Sequence, residues 1–165
     1  MSDHLIVVVN RERARFLTIE PVEFPEMESG PRISEHASVA NPEAMVDARE
    51  RYTDSKTGRG AAPAGGKVHG YEDKRVQHLD ELRRRFADRL IPRIDRLAKA
   101  KKVRAIIVVP SARMQRFVYP ELEALTKKGY EIQKVAKNMI NFSPQKIQAH
   151  LAELGLVPEQ VRSRA

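Results

Sequence analysis

Two short stretches of the chain are almost continuously apolar, residues 4–9 and 103–109. Continuous rather than alternating apolar runs of this length predict strands that are buried on both faces of a sheet. After the first run, Asn10, Arg11 and Glu12 form a turn, and residues 14–19 follow as an antiparallel partner strand. Residues 32–39 are a weaker third strand. The first quarter of the chain therefore predicts an antiparallel meander.

Further along the chain, apolar residues recur at every third or fourth position, which is the spacing of one helix face. The positions are Val76, Leu79, Leu82, Phe86, Leu90, Ile94 and Leu97. They predict a long amphipathic helix over about residues 73–100, with a bend expected at Pro92. A second helix is expected from residue 111 to Gly129, then a strand over 130–136, and a last helix that opens at Ser143-Pro144.

This order of elements predicts an α/β fold with a mixed sheet of about five strands, in which an antiparallel meander is joined to parallel crossovers and helices flank the sheet. A chain of 165 residues suits one domain, assigned to residues 1–157, with a tail over 158–165. Between the third strand and the long helix, residues 41–72 predict a long loop. Loops of this length are uncommon in compact domains and are usually functional or disordered.

The positive charge of the protein is concentrated in one segment. Net charge is +8, and residues 74–104 contain twelve basic and four acidic side chains. If half of the basic residues lie on one face, that face is able to contact several phosphates. A solvated helix surface explains the same pattern equally well. The candidate nucleic-acid-binding residues of the helix are Lys74, Arg75, Arg83, Arg84, Arg85, Arg89, Arg93 and Arg96.

Four short segments resemble motifs of one bacterial protein family. Residues 5–16 contain an apolar strand, a turn and Arg13-Ala14-Arg15, and Thr57-Gly58-Arg59 lies in the loop. Ser111-Ala112-Arg113 follows the second apolar strand, and Phe142-Ser143-Pro144 opens the last helix. Over about residues 4–155 these segments resemble the host-attachment protein family, whose members are required for attachment to host cells.

The order of elements is also similar to the central domain of archaeal and eukaryotic class-I release factors, which implies a ribonuclease-H-like layout. Those factors carry a Gly-Gly-Gln loop, and this chain has Gly65-Gly66-Lys67 in the corresponding place. Lysine replaces the glutamine that positions the attacking water in the release factors. The resemblance therefore implies a Gly-Gly-Lys binding loop and argues against hydrolysis of peptidyl-tRNA.

Residues that would support catalysis are not grouped in the sequence. The absence of cysteine excludes thiolate nucleophiles and cysteine-ligated metals. The two apolar strands contain no carboxylates for a two-metal nuclease, and the histidines lack the spacing of helical metal ligands. Ser111 lacks the glycines of a nucleophile elbow and is interpreted as a helix cap. We therefore expect no enzymatic activity, no metal and no cofactor.

The first apolar run is shorter than the hydrophobic part of a signal peptide, and no stretch reaches the roughly 20 residues of a membrane span. A cytoplasmic protein that does not bind membranes is expected. Two functional hypotheses remain open. The first is a non-catalytic RNA-binding protein, with the ribosome, rRNA or tRNA as its partner, that uses the basic helix and the Gly-Gly-Lys loop. The second is a protein-interaction or adhesion-related factor that does not bind nucleic acid.

Overall fold

The structure is a computed structural model, and it describes residues 3–44, 49 and 66–162. The strands in these residues are β1 (His4–Val9), β2 (Arg13–Glu20), β3 (Arg32–Ala40), β4 (Ala105–Pro110) and β5 (Glu131–Lys134). The helices are α1 (Gly66–Lys101), α2 (Gln115–Glu121), α3 (Glu123–Lys127) and α4 (Pro144–Glu153).

The strands form one mixed sheet in the order β3-β2-β1-β4-β5. β2 is antiparallel to both β1 and β3, whereas β4 is parallel to both β1 and β5. The predicted α/β fold, with a meander joined to parallel crossovers, is therefore confirmed. The ribonuclease-H-like layout that the resemblance implies stays a prediction.

The two central strands are buried on both faces, as their continuous apolar sequences predict. Leu5 and Val7 point into one core, which α1, α2 and α3 cover with residues such as Phe86 and Leu125. Ile6 and Val8 point into a second core, which α4 and the segment before it cover. The domain thus has three layers, with the sheet between two sets of helical elements.

The long helix begins earlier than its apolar spacing predicts. It starts at Gly66, seven residues before the expected position, and continues through Pro92 without interruption. Gly66 and Lys67 therefore belong to the first helical turn, and the predicted Gly-Gly-Lys loop is wrong at these two positions. Gly65, Thr57-Gly58-Arg59 and most of the predicted loop over 41–72 lie outside the described residues.

The structure confirms some of the predicted helix caps and chain ends and contradicts others. Ser143 caps α4 as predicted, because its hydroxyl accepts a hydrogen bond of 3.2 Å from the backbone N–H of Lys146. Ser111 does not cap α2, which begins four residues later at Gln115 without a side-chain cap. In the predicted tail, Val161 exchanges two backbone hydrogen bonds with Gly30. These bonds tie the tail to the loop before β3.

None of the helices in the described part of the chain is long and apolar enough to cross a membrane.

Candidate nucleic-acid interface

The basic residues of α1 do not all share one face. Arg85, Arg89, Arg93 and Arg96 are exposed and follow one another at spacings of four, four and three residues. With 3.6 residues per turn, this spacing places them within an arc of about 80° and along about 17 Å of helix axis. We call these four residues the arginine row. Only part of the predicted basic helix therefore forms a continuous face.

The N-terminal half of the arginine row is partly neutralised by carboxylates. Glu43, which follows β3 in the chain, places Oε1 at 3.6 Å from Arg85 Nη1 and 3.9 Å from Arg89 Nη2. Arg85 Nε also lies 3.4 Å from Glu81 Oε1. Both arginine side chains are about half exposed, at 52% and 51%. They are accessible, but each already has an acidic neighbour.

The C-terminal half of the row carries uncompensated charge. Arg93 and Arg96 form no ion pair with any residue that the structure describes, and both border an open groove between α1 and the sheet. The groove has a volume of about 310 Å³ and a largely apolar lining. Its lining residues are Phe16, Ala37, Val39, Arg93, Arg96, Leu97 and Ala100. Two guanidinium groups thus lie beside an apolar floor.

Strand β3 adds no positive charge near the groove at neutral pH. Its His36 accepts or donates a short hydrogen bond with Thr18 of β2. Partial burial, followed by the charge of Lys101, lowers the pKa of His36 below its ordinary value of 6.5. At neutral pH the imidazole is therefore mainly neutral, whereas the arginine row is fully charged.

Two of the predicted binding residues belong to a different surface. Arg83 Nη1 lies 3.8 Å from Asp80 Oδ1, and the Arg83 side chain is only 11% exposed. Arg84 Nη1 lies 3.1 Å from Glu81 Oε2. Nη2 of Arg116, which belongs to α2, lies 2.5 Å from Oδ2 of the same Asp80. The guanidinium group of Arg116 also lies over the ring of Phe117. Arg116 thus links α2 to α1, whereas the ion pairs of Arg83 and Arg84 lie within α1 itself.

The remaining predicted residues lie nearer the start of α1. Lys74 is exposed and Arg75 is half-buried. Lys67 in the first turn is about 27 Å along the helix axis from Arg85, at 1.5 Å per residue. The Gly-Gly-Lys segment and the arginine row therefore do not form one compact site.

The sequence gives no indication that Glu43 or the β3 residues lining the groove belong to the interface. Glu43 lies about forty residues before Arg85 in the chain, and Ala37 and Val39 carry no chemical signal of their own. The edge position of β3 brings all of them beside α1. The hairpin pattern of the first three strands was the only available signal, because it places the third strand at an edge.

Within the described residues, no three side chains of His, Asp or Glu gather as a metal site requires.

A family model described as "Protein required for attachment to host cells" matches residues 5–151. No protein of curated function matches the sequence significantly. Among solved structures, the crystal structure of the archaeal translation termination factor aRF1 is similar, with 17% sequence identity and a TM-score of 0.46. The match covers 94% of this chain and 35% of the archaeal factor, so the chain spans about a third of that protein's length.

Proposed function

The chain belongs to the family of proteins required for attachment to host cells, and from this premise we propose that it is a non-catalytic RNA-binding protein of the cytoplasm. The ribosome, rRNA or tRNA is the proposed partner. The observation that carries the proposal is the arginine row on α1. In this proposal the protein contributes to attachment indirectly, by acting on RNA rather than on the host surface.

Phosphate contacts account for the binding energy in this proposal. Guanidinium groups are permanently charged and donate two parallel hydrogen bonds to a phosphate, which makes arginine well suited to this contact. The four side chains of the row are held by a helix whose adjacent face is buried through Phe86, Leu90 and Ile94. A rigid support of this kind lowers the entropy lost on binding.

The recognition is expected to depend on the shape and charge of the RNA rather than on its base sequence. Sequence-specific recognition of single-stranded RNA commonly stacks bases on exposed aromatic side chains. Phe16, the aromatic residue that lines the groove, is only 2% exposed. The row is therefore suited to phosphate contacts along a structured RNA.

Co-sedimentation of the purified protein with ribosomes, at low and at high salt, tests the proposal. The informative variant reverses three charges of the row, Arg89→Glu, Arg93→Glu and Arg96→Glu. Its matched control reverses three exposed basic residues on other elements, Arg104→Glu, Lys127→Glu and Arg162→Glu. Both variants have the same net charge, so a difference between them reports position rather than total charge.

We expect salt-sensitive pelleting that is lost in the row variant and retained in the control. Binding that falls equally in both variants would show that only total charge matters. The absence of pelleting at low salt, together with no binding to purified rRNA or tRNA, would reject the proposal.

A protein partner is the second candidate, and the groove favours it. Its apolar lining beside Arg93 and Arg96 matches an acidic segment that also carries apolar side chains. Ala37→Leu would obstruct this groove without changing the charge beside the arginine row. Loss of a cellular partner in this variant, with RNA binding unchanged, would favour the protein-interaction or adhesion-related function.

A further inference from the structure

A second polar crevice lies at the end of the sheet where the parallel strands β1 and β4 terminate. It has a volume of about 260 Å³. Its lining comes from three distant parts of the chain: the turn after β1, the segment after β4 and a residue after β5. These residues are Asn10, Arg11, Glu12, Ser111, Ala112, Arg113 and Asn138. None of them belongs to the arginine row.

The topology explains why a crevice forms there. The chain leaves β1 towards β2 on one side of the sheet, and it leaves β4 towards β5 on the other side. The hairpin turn after β1 and the segment that leads from β4 into α2 therefore separate at the carboxyl ends of the two strands, and the crevice lies between them.

Hydrogen bonds from a side chain and from the backbone fix the two loops that border the crevice. Asn10 Oδ1 accepts hydrogen bonds of 2.8 Å from the backbone N–H groups of Glu12 and Arg13. Ser111 donates its backbone N–H to the carbonyl of Val9 at 2.8 Å, across from β4 to β1. The Asn10 oxygen is occupied by the turn, and its amide N–H₂ group remains as a donor in a residue that lines the crevice.

The lining is rich in hydrogen-bond donors and carries a positive balance. Arg11 and Arg113 contribute two guanidinium groups against the single carboxylate of Glu12. The Asn138 amide and the Ser111 hydroxyl add further donors. Arg113 is exposed and forms no ion pair with any residue in the described ranges. A phosphate, with three strong acceptor oxygens, matches several converging donors better than a carboxylate does.

We propose that this crevice binds a phosphate group, either as free phosphate or on a small phosphorylated compound. The volume suits such a compound and is below the usual range for larger ligands, which begins at about 300 Å³. The proposal is independent of RNA binding by the arginine row.

NMR titration of the ¹⁵N-labelled full chain with inorganic phosphate tests this site, with acetate at matched ionic strength as the comparison anion. Arg113→Gln removes one guanidinium group, and Glu12→Gln removes the opposing carboxylate. Arg104→Gln is the matched control, because it removes an exposed arginine at the opposite end of β4. All three side chains are exposed, so the variants should fold normally.

We expect saturable shifts of the amides at residues 10–13 and 111–114 with phosphate and not with acetate. Arg113→Gln should weaken phosphate binding about tenfold or more, as loss of a charge-assisted hydrogen bond does. Glu12→Gln should strengthen it, and Arg104→Gln should leave it unchanged. Tighter binding of ribose 5-phosphate would identify an esterified ligand, and weaker binding would identify free phosphate.

Shifts that do not saturate, that are equal with acetate, or that lie only on the arginine row would overturn the proposal. A variant with Arg93→Gln and Arg96→Gln should retain the phosphate shifts. Failure of RNA binding is therefore distinguishable from failure of the phosphate site.

Discussion

Lys128 donates a hydrogen bond of 2.8 Å from Nζ to Oδ2 of Asp95, and this contact joins the loop before β5 to the C-terminal part of the long helix. The Tyr130 hydroxyl donates to the other oxygen of Asp95 at 2.9 Å, and Lys99 reaches Oδ2 at 3.1 Å. The hydrogen bond from Lys128, then that from Tyr130, lowers the pKa of Asp95 to about 2. Burial, followed by the hydrogen bond to Asp95 and its negative charge, raises the pKa of Tyr130 to about 12.

Asp95→Asn should destabilise the protein at pH 7 by about 1–3 kcal/mol, because it removes the charge that Lys128 and Tyr130 are arranged to contact. The pKa of Asp95 is lower in the folded state than its ordinary value of 3.8. The ionised group therefore contributes stability above about pH 4, and the contribution is lost as the pH falls towards 2. Urea unfolding at several pH values should show the two proteins converging at low pH. A constant difference would contradict this account.

Arg15→Gln is expected to weaken the attachment of residues 140–142 to the sheet. Arg15 is 6% exposed, and its guanidinium group donates to the carbonyls of Ile140 at 3.0 Å and Phe142 at 2.6 Å. Arg15 Nε also donates a hydrogen bond of 2.6 Å to Glu35 Oε1, and this bond is the main reason that the pKa of Glu35 is lowered.

The expected loss for Arg15→Gln is about 1–3 kcal/mol in the free energy of unfolding, since buried acceptors are left unsatisfied. Chemical denaturation measures it. Arg32→Gln is the control, because Arg32 lies on β3 with an exposed side chain and should change stability by about 0.5 kcal/mol or less. Equal effects of the two substitutions would show that the Arg15 contacts are not stabilising.

Phe86→Ala should destabilise the protein by about 3–5 kcal/mol, as large-to-small changes at buried aromatic positions do. Phe86 is 1% exposed and packs α1 against the sheet. Val76→Ala, at a position of the same helix that is 54% exposed, should cost about 0.5 kcal/mol or less. Urea denaturation of both variants checks the comparison, and a small effect of Phe86→Ala would show that α1 is weakly docked.

The sequence predicted the sheet well because its strands have patterns that depend on local chemistry. The continuous apolar run at 5–9 required burial on both faces, and β1 has that environment. The start of α1 could not be predicted in the same way. Residues 66–72 include two glycines and no recurring apolar face, so nothing in the pattern distinguishes their first helical turns from a loop.

The candidate interface was predictable only in part, for a different physical reason. The charge count identified α1, but it did not identify which arginines would be accessible. Arg83 and Arg84 are adjacent to Arg85 in sequence, yet a turn of about 100° per helical residue directs them to another surface, where Arg83 pairs with Asp80 and Arg84 lies over the ring of Phe117. Helical spacing explains the ion pairs within α1, whereas the contacts of Arg84 with Phe117 and of Arg116 with Asp80 depend on how α2 packs against α1.

Arg93→Gln combined with Arg96→Gln should reduce the salt dependence of RNA binding. If each side chain neutralises one phosphate of a double-stranded RNA, the slope of log K against log salt should fall in magnitude by about 1.8, at the value of about 0.9 per contact that holds for a duplex. Fluorescence anisotropy with a labelled RNA at several salt concentrations measures the slope. Arg104→Gln with Lys127→Gln is the control for total charge. An unchanged slope in the row variant would exclude these two arginines from the interface.

Glu43→Gln should increase RNA affinity, because Glu43 competes with phosphate for Arg85 and Arg89. Its Oε1 atom lies 3.6 Å and 3.9 Å from the two guanidinium groups. Exposed ion pairs are worth about 0.2–1 kcal/mol each, so the expected gain is about two- to fivefold.

Anisotropy with the same RNA measures the gain, and Glu153→Gln is the control because it makes the same change of net charge at an exposed position on α4. A gain in Glu43→Gln alone would identify the N-terminal half of the arginine row as part of the RNA-binding surface. Equal gains in both variants would instead attribute the effect to net charge, and the interface would then be confined to Arg93 and Arg96. A loss of affinity would mean that Glu43 holds Arg85 and Arg89 in their binding conformation, because removal of an acid cannot weaken phosphate binding by charge alone.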